Sequence, residues 1–236
     1  MQGEQSPGDV RLRVLSYNVH GQRDDRAALT ALVRAAAPDA VILQEAPRRF
    51  GWRRSCAALA DAFGLVVAAG GLPALGNLLL TDPRVRVHRT CCRRFPLKPG
   101  RHMRGVALAE CSVGSARFAL AGSHLPTDPD ERPEKAARLR AATGWTRLPL
   151  ILGVDVNEQP GGAAWRTVAD GLVDVAEAVG RSDRFTFPAK DPKRRIDAVF
   201  VDPRITVLDF DVLDDARARR ASDHLPLVAD LRIPAG

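Results

Sequence analysis

Short apolar runs bounded by polar or turn-forming residues recur along the whole chain. Each run is rich in Val, Ile and Leu, and its length is typical of a β-strand. The ten runs read RLRVLSYNV, AVILQE, GLVVAA, NLLLT, VALAECSV, RFALAGSHL, LPLILGVDVN, RIDAVFVD, ITVLDFDV and LPLVADL. The pattern of apolar positions therefore predicts a strand-rich protein.

Segments with helical periodicity lie between these runs. In DDRAALTALVRAAAPD, residues 24–39, the apolar positions follow the 3.6-residue period of a helix. Asp24 or Asp25 can cap this helix, and Pro38 lies beyond its end. Three further helices are predicted at 53–62, 133–143 and 162–168.

The order of these elements predicts the fold class. Strands alternate with helices in some stretches and follow one another as hairpin-like pairs in others, which favours an α/β protein with mixed sheets covered by helices. The 236 residues are enough for one sizeable hydrophobic core, and no internal repeat or linker divides them. We therefore expect a single domain, 11–236, after a flexible segment, 1–10.

The charge balance is basic but does not by itself identify a partner. A net charge of +7 is compatible with an anionic partner such as nucleic acid. The basic residues are scattered and almost all are Arg, so a compositional habit of the genome explains the charge equally well. Aromatic residues make up 5% of the chain, which is too few for an extended base-stacking platform.

Cysteine usage and the N-terminal sequence set expectations about the compartment. The four cysteines show no CxxC spacing, so we expect reduced, partly buried thiols. No apolar stretch is long enough to cross a bilayer, and MQGEQSPGDV lacks the features of a signal peptide. We expect a cytoplasmic monomer, or a secreted one if a signal peptide has been removed.

Polar side chains follow several of the predicted strands at the point where each strand ends. These residues are Asn18, Glu45, His124, Asp155 and Asn157. Strand ends in α/β folds aim side chains into a common crevice, where functional loops gather. Each residue taken alone also has a structural explanation, such as satisfying a turn, capping a helix or bonding within the core.

Two further acidic positions lie beside the last strands. Asp197 begins the run DAVFV and has a structural alternative as an ion-pair partner of Arg194 or Arg195. In SDHLPLVADL, Asp223 and His224 stand directly before a strand, where an isolated pair is better explained as a polar turn. Only the combination with the other strand ends indicates a site.

A crevice that collects these carboxylates requires positive charge. Two carboxylates in close contact repel by about 4 kcal/mol at an effective dielectric constant near 20. Oxygen ligands without thiolates select a hard divalent cation, Mg²⁺ or Mn²⁺. A hard cation beside two histidines is typical of an active site that hydrolyses phosphoesters.

The ordered set of motifs resembles the endonuclease/exonuclease/phosphatase superfamily. The motifs are LSYNVHG, ILQE, GNLLL, RGVAL, GSHLP, GVDVN, RIDAVFV and SDHLPLVADL. The resemblance spans nearly the whole chain. It implies a four-layer α/β sandwich, in which two mixed sheets pack face to face with helices outside, and a metal-dependent phosphoester hydrolase.

The resemblance also implies roles for single residues. Glu45 resembles the metal-binding glutamate of the superfamily, Asn18 its companion near the ion, and Asp223 a residue near the metal. Asn77 and Arg104 match positions that line or support the substrate cleft, and a structural role is an equal alternative for both.

The remaining matches concern the reaction itself. Asp155 looks like the aspartate that orients or deprotonates the attacking water, and Asn157 like the residue that touches the phosphate. His224 matches the histidine beside the phosphoryl oxygens, with Asp197 as its supporting carboxylate. His124 matches the second histidine of the deoxyribonuclease and sphingomyelinase branches, as the acid for the leaving oxygen.

Two departures refine the comparison. His20 stands where many relatives have an acidic or other polar residue, and the only tyrosine, Tyr17, lies in the first strand. The tyrosine that helps define abasic-site endonucleases therefore has no counterpart, which favours the two-histidine branch.

Three functions remain open from the sequence. The first is a nuclease or related phosphodiesterase that uses Mg²⁺ or Mn²⁺. The second is a phosphatase or phosphodiesterase that acts on lipid headgroups or small phosphorylated metabolites, and the third is an inactive phosphate-binding module. The absence of an obvious aromatic hairpin or amphipathic stretch disfavours membrane docking.

Overall fold

Two six-stranded mixed sheets form the centre of the molecule. The computed structural model describes residues 8–97, 100 and 102–236. The strands in these residues are β1 Val10–Asn18, β2 Ala40–Gln44, β3 Val66–Gly71, β4 Asn77–Thr81, β5 Arg86–Arg94, β6 Gly105–Val113, β7 Ala116–His124, β8 Leu150–Asp155, β9 Val173–Asp174, β10 Asp197–Val201, β11 Thr206–Val212 and β12 Leu227–Ile233. Most of the predicted flexible segment lies outside the described residues, and strand β1 begins at Val10.

Helices connect and cover the strands. They are α1 Arg26–Ala36, α2 Trp52–Phe63, α3 Arg132–Thr143, α4 Ala163–Ala169, α5 Val175–Ala178 and α6 Ala218–Ala221. Short 3-10 turns occupy His20–Gln22 and Leu72–Ala74. The four helices predicted from periodicity are confirmed to within about two residues at each end, a margin common for helix termini.

Helix α1 illustrates how the local sequence sets an element. The Asp25 carboxylate accepts a hydrogen bond of 2.9 Å from the backbone N–H of Ala28 and caps the helix. Leu29, Leu32 and Val33 are buried on the face that packs against the first sheet. Asp25, rather than Asp24, is therefore the cap.

Each sheet contains a parallel pair of strands near its centre. The first sheet has the order β11-β12-β1-β2-β4-β3 and the second has the order β5-β6-β7-β8-β10-β9. Strands β1 and β2 are parallel, as are β7 and β8, and helices α1 and α3 supply the crossovers. The carboxyl ends of these parallel pairs are the positions from which the polar residues project.

The two sheets pack face to face, which confirms the predicted α/β sandwich. Gly122 and Gly153 of the second sheet lie so close to Ile42 of the first that an added Cβ would come within 2.8 and 2.9 Å of its Cγ2. A second apolar cluster lies between the other face of that sheet and helices α3 and α4, where Trp165 meets Phe200 edge to face at 5.5 Å. The order of layers is therefore helix, sheet, sheet, helix.

Two strands escaped prediction from the sequence. Strand β5, RVHRTCCRR, forms one edge of the second sheet, and most of its side chains are exposed. Basic residues dominate it because an edge strand avoids unwanted pairing by carrying charge. Strand β9 has two residues, too few to produce a periodic signal.

The remaining sequence expectations concern thiols and membranes. All four cysteines are free, and burial raises the pKa of the Cys56 thiol to about 11 and that of Cys111 to about 12. Among the helices of the described residues, none is long and apolar enough to span a membrane.

Adding a methyl group at Gly153 should destabilise the sandwich. Its Cβ would lie 2.6 Å from Ser16 Oγ as well as 2.9 Å from Ile42, in the middle of the contact between sheets. Overpacking of this kind costs about 1–3 kcal/mol, so Gly153→Ala should lower the free energy of unfolding by that amount in urea titrations.

Gly144→Ala is the matched control. Gly144 has an ordinary helical φ of −62° at the end of α3, and an added Cβ would come no closer than 3.3 Å to its nearest neighbour, the Ala141 carbonyl oxygen, so the change should stay within about 0.5 kcal/mol. Equal stability of the two variants would contradict the close packing of the sheets at Gly153.

Candidate active site

A hydrogen bond joins the two sheets at a buried carboxylate. Asp155 ends strand β8 of the second sheet and is 1% exposed. Asn18 ends strand β1 of the first sheet, and its Nδ2 donates a hydrogen bond of 2.8 Å to Asp155 Oδ2. Polar residues at the ends of two different sheets thus meet at one point.

Strand register brings further polar residues to the same level. His124 lies opposite Asp155 in the parallel pairing of β7 with β8. Asp197 lies opposite Asp155 in the antiparallel pairing of β10 with β8. Three adjacent strands therefore present His124, Asp155 and Asp197 side by side.

His224 is held as a cation by the two aspartates. It lies just before strand β12, and its Nδ1 is hydrogen-bonded to Asp197 Oδ2 at 2.9 Å, while its Nε2 is 3.8 Å from Asp155 Oδ2. Burial opposes the charge, but the carboxylates of Asp197 and Asp155 outweigh it and raise the pKa of His224 to about 10. The ring also packs against Phe187, with 4.8 Å between centroids.

The same environment makes Asp155 a weaker acid than usual. Burial, together with the nearby Asp197 carboxylate, raises the pKa of Asp155 to about 7. The positive charge of His224 and the hydrogen bond from Asn18 act in the opposite direction. A carboxyl group with a pKa near neutrality is suited to accept a proton.

Asn157 and His124 form the other side of the crevice. Asn157 has a left-handed backbone with φ of 55°, and its N–H donates to Asp155 Oδ1 at 3.0 Å. Its Nδ2 donates to the Leu125 carbonyl and to His124 Nε2, both at 2.9 Å. With the Asn157 amide as the donor, Nε2 of a neutral His124 ring accepts, and the ring proton is assigned to Nδ1.

The protonation of His124 is set by its surroundings. Burial, aided by the positive charges of Arg104 and His224, holds the pKa of His124 well below its usual range. The ring is therefore neutral, although Asp155 Oδ2 lies 3.3 Å from its Nε2. Sequence reasoning assigned His124 the role of an acid and did not anticipate this neutral state.

Glu45 lies at the edge of the crevice with its carboxylate available. It follows strand β2 in a left-handed conformation, with φ of 55°. Its Oε1 is 3.9 Å from His124 Nδ1, and about a third of the side chain is exposed. No hydrogen bond to this carboxylate is formed within the described part of the chain.

Asp223 lies farther out on the rim, next to a histidine that the sequence marked only as a departure. Asp223 Oδ1 is 3.8 Å from His20 Nδ1, and that nitrogen is also 2.8 Å from Asp24 Oδ2. His20 has a left-handed backbone, with φ of 46°. The position of His20, two residues after Asn18, was the sequence feature that could have indicated its place beside Asp223.

The two predicted cleft residues differ in their positions. Asn77 uses its Nδ2 to hold the carbonyls of Ala74 and Gly105, at 2.7 and 3.0 Å, so its observed contacts are structural. Arg104 is 9% exposed, and its Nε has no partner among the described residues. Burial lowers the pKa of Arg104, and the charges of Asp155 and Glu45 oppose that shift, which places Arg104 beside the crevice. Substrate binding by either residue remains a prediction.

The balance of charge and the donor set fit a hard divalent cation. The carboxylates whose charges act on His224 or Arg104 include Glu45, Asp155, Asp197 and Asp223. These four carboxylates outnumber the three cations Arg48, Arg104 and His224, and the buried Asp197 Oδ1 has no partner among the described residues. Oxygen donors with excess negative charge suit Mg²⁺ or Mn²⁺.

Two places in the crevice have the donors for an ion. Atoms of Asp155, Asp197 and His224 lie within 4.8 Å of one another. A cation there would compete with the proton on His224, whose pKa is raised to about 10. The Glu45 carboxylate has no such competitor, so the residues around Glu45 fit the ion better.

The chain belongs to the Endonuclease/Exonuclease/phosphatase family, whose sequence model matches residues 15–224. The resemblance read from the motifs is therefore confirmed. Enzymes of this family hydrolyse phosphoester bonds, and the chain is a hydrolase of that class. No match to the chain is found among curated proteins.

Solved structures share the fold over nearly the whole chain. An endonuclease/exonuclease/phosphatase family protein from Bacteroides thetaiotaomicron has a TM-score of 0.79 and 17% identity, covering 96% of this chain and 99% of that one. The mannosyl-6-phosphatase of the same species has a TM-score of 0.77 and 18% identity, covering 93% and 99%. TDP2 of D. rerio, complexed with a single-strand DNA product, has a TM-score of 0.75 and 20% identity, covering 94% and 98%. At these identities the likeness establishes the fold.

Replacing the buried carboxylate should stabilise the metal-free protein. Because the folded-state pKa of Asp155, about 7, lies above the usual 3.8, its ionisation costs folding free energy at any pH above both values. The attraction to His224 is already included in that pKa, but the hydrogen bond from Asn18 Nδ2 to a charged oxygen is weakened in the amide variant and offsets part of the gain. We therefore expect Asp155→Asn to raise the free energy of unfolding by about 1–2 kcal/mol at pH 8 in EDTA.

The control is Asp183→Asn, which changes an exposed aspartate in a loop and should leave stability within about 0.5 kcal/mol. A clear loss of stability in Asp155→Asn would show that the ionised carboxylate stabilises the fold.

Proposed function

We propose that the protein is a divalent-metal-dependent phosphodiesterase, with nucleic acid as the first substrate class, and that water attacks the phosphorus in line. The observation that carries this proposal is the set of contacts around Asp155. An acceptor of protons, a buried imidazolium and a neutral histidine surround one crevice, as displacement at phosphorus requires.

Asp155 is the proposed base. Its pKa of about 7 lies near the pH at which such an enzyme works, so the ionised form is present and can still accept a proton. Asn18 orients one carboxyl oxygen, at 2.8 Å, and the N–H of Asn157 orients the other, at 3.0 Å. A carboxylate fixed at both oxygens can position the attacking water.

Positively charged side chains of the crevice are the proposed hydrogen-bond donors to the phosphoryl oxygens. His224 keeps its proton because Asp197 holds its Nδ1, which leaves the Nε2–H to donate to a phosphoryl oxygen. Arg104 is the other proposed donor, since its Nε has no partner among the described residues and its charge interacts with that of Asp155. Asn157 would first have to release one of its Nδ2 bonds, to Leu125 or to His124, before it could touch the phosphate. Preorganised donors of this kind supply a large share of catalysis.

His124 is the proposed donor to the leaving oxygen. Asn157 occupies its Nε2, so the remaining proton on Nδ1 points to the side of the crevice where Glu45 lies, 3.9 Å away. A neutral imidazole can donate this hydrogen bond without first being protonated. In this proposal His124 acts as a neutral hydrogen-bond donor to the leaving oxygen, in place of the protonated acid that the sequence suggested.

Glu45, Asn18 and Asp223 would hold the cation, Mg²⁺ or Mn²⁺. The ion would supply positive charge for the phosphoryl and leaving oxygens, a function of metals in phosphoester hydrolysis. The uncommitted carboxylate of Glu45 and the excess of carboxylates in the crevice support this assignment.

A second candidate function is a phosphatase or phosphodiesterase that acts on lipid headgroups or small phosphorylated metabolites. The fold shared with a mannosyl-6-phosphatase supports it. A panel of plasmid DNA, single-stranded DNA, RNA, lipid phosphodiesters and inositol phosphates, assayed with Mn²⁺, separates the two candidates. Cleavage of lipid or inositol phosphates alone would overturn the nucleic-acid assignment, and no cleavage under any condition would favour an inactive binding module.

His224→Ala should abolish most turnover in a folded protein. The variant loses the proposed cationic donor to the phosphoryl oxygens, and we expect kcat on bis(p-nitrophenyl) phosphate with Mn²⁺ to fall about 10²–10³-fold. Circular dichroism checks the fold. His88→Ala is the control, because His88 is exposed on edge strand β5 and bonded to Ser112 at 2.8 Å. Comparable kcat values for the two variants would remove His224 from the mechanism.

Glu45→Gln should weaken the response to metal. Loss of the charged donor should raise the Mn²⁺ concentration for half-maximal activity by at least about 10-fold, since carboxylates are preferred ligands of hard cations. Asp61→Asn, an exposed change on α2, should leave that concentration unaltered. Full activity of the unmodified protein in EDTA would contradict the proposed dependence on a divalent cation.

A further inference from the structure

A cavity outside the crevice opens beside Glu45. It has a volume of about 590 Å³ and lies between helices α1 and α2 and the segments that follow strands β1 and β2. Glu45 also lies on its wall, so the cavity adjoins the proposed metal site. None of the roles assigned above uses this space.

Four arginines line the cavity. They are Arg23, Arg26, Arg48 and Arg49. In the described part of the chain none of them forms an ion pair, whereas arginines elsewhere commonly do. Examples are Arg13 with Asp230 at 2.8 Å and Arg195 with Asp174 at 3.0 Å.

Two of the four are held in place by backbone carbonyls. Arg26 Nε donates to the Gln22 carbonyl and Arg48 Nη1 to the Leu75 carbonyl, both at 3.1 Å. These bonds fix the side chains without neutralising them. All four side chains are exposed, so an anion can reach them from solvent, and the two carbonyl bonds reduce the rotamer entropy lost on binding.

The electrostatics of the cavity favour a negatively charged occupant. Glu45 is the only acidic residue on the cavity wall within the described chain, and in the proposed function its charge is engaged by a cation. The charge of Arg48 reaches Arg104 and His124 in the crevice, which shows that the two spaces share one field. Clefts lined by one sign of charge concentrate ligands of the opposite sign.

The cavity wall also has an apolar part. Leu29, Leu59 and Trp52 contribute to it, between the arginines. A bare inorganic anion would leave this surface unused, whereas an organic phosphate would cover it. The planar fork of arginine matches phosphate oxygens in a bidentate arrangement.

We propose that this cavity binds a second phosphate group of the substrate, next to the phosphate that is cleaved. The proposal rests on the proposed phosphodiesterase function and narrows its substrates to those with at least two phosphates. The second phosphate belongs either to the adjoining nucleotide of a strand or to a small bisphosphorylated metabolite, and both present the same chemistry to the arginines.

Matched dinucleotides test the site. TpT, pTpT and TpTp contain the same scissile diester, and the last two carry one additional phosphate at either end. We expect kcat/KM for one of the phosphorylated forms to exceed that for TpT by at least about 10-fold, the value of one good charged contact. The double variant Arg23→Gln/Arg49→Gln should reduce this ratio towards one.

Arg54→Gln is the control, because Arg54 is exposed on helix α2 and does not line the cavity. Its ratio should equal that of the unmodified protein. Glycerophosphoinositol and glycerophosphoinositol 4-phosphate, which contain the same diester and differ by one phosphate, form a second arm that identifies the source of the phosphate. A preference in either arm that disappears in the double variant supports the site, and equal kcat/KM values within both arms overturn it.

A binding measurement tests the cavity site independently of the proposed hydrolysis. Calorimetric titration of His224→Ala in EDTA with TpT and its phosphorylated forms requires no turnover. Tighter binding of a phosphorylated form that is lost on Arg23→Gln/Arg49→Gln would support the cavity even if no substrate were hydrolysed. Equal affinity for all three dinucleotides would overturn the cavity site, even if hydrolysis were observed.

Discussion

The hydrogen bond from Asn18 to Asp155 links two sheets through a carboxylate that is almost completely buried. Burying a charge is costly unless it is paired and hydrogen-bonded, so the surroundings of Asp155 must supply both. The partners come from strand ends of both sheets and from the loop before the last strand. The packing of the sandwich therefore determines whether this carboxylate is tolerated.

The register of the strands places the other polar side chains of the site beside Asp155. The pairing of β8 with β7 and β10 sets His124 and Asp197 beside Asp155, and Asp197 in turn holds His224. The result is one raised carboxyl pKa, one imidazolium and one neutral imidazole within a single crevice. Groups whose pKa values are driven apart by their environment are suited to separate proton-transfer roles.

The sequence predicted the strands, the longer helices and the polar strand ends because these have strong local patterns. Edge strand β5 was missed since its exposed basic residues interrupt the apolar pattern. The neutral state of His124 depends on burial and on charges distant in sequence, which no local pattern contains. The arginine-lined cavity arises only when α1 and α2 pack beside the ends of β1 and β2.

In the proposed function a cation at Glu45 balances the excess of carboxylates where the sheets meet. Anomalous diffraction from crystals grown with Mn²⁺ tests it directly. We predict a single strong anomalous peak in the crevice, bonded to a carboxylate oxygen of Glu45. A peak bonded to Asp197 and His224 but not to Glu45, or no peak in the crevice at saturating Mn²⁺, would contradict the account.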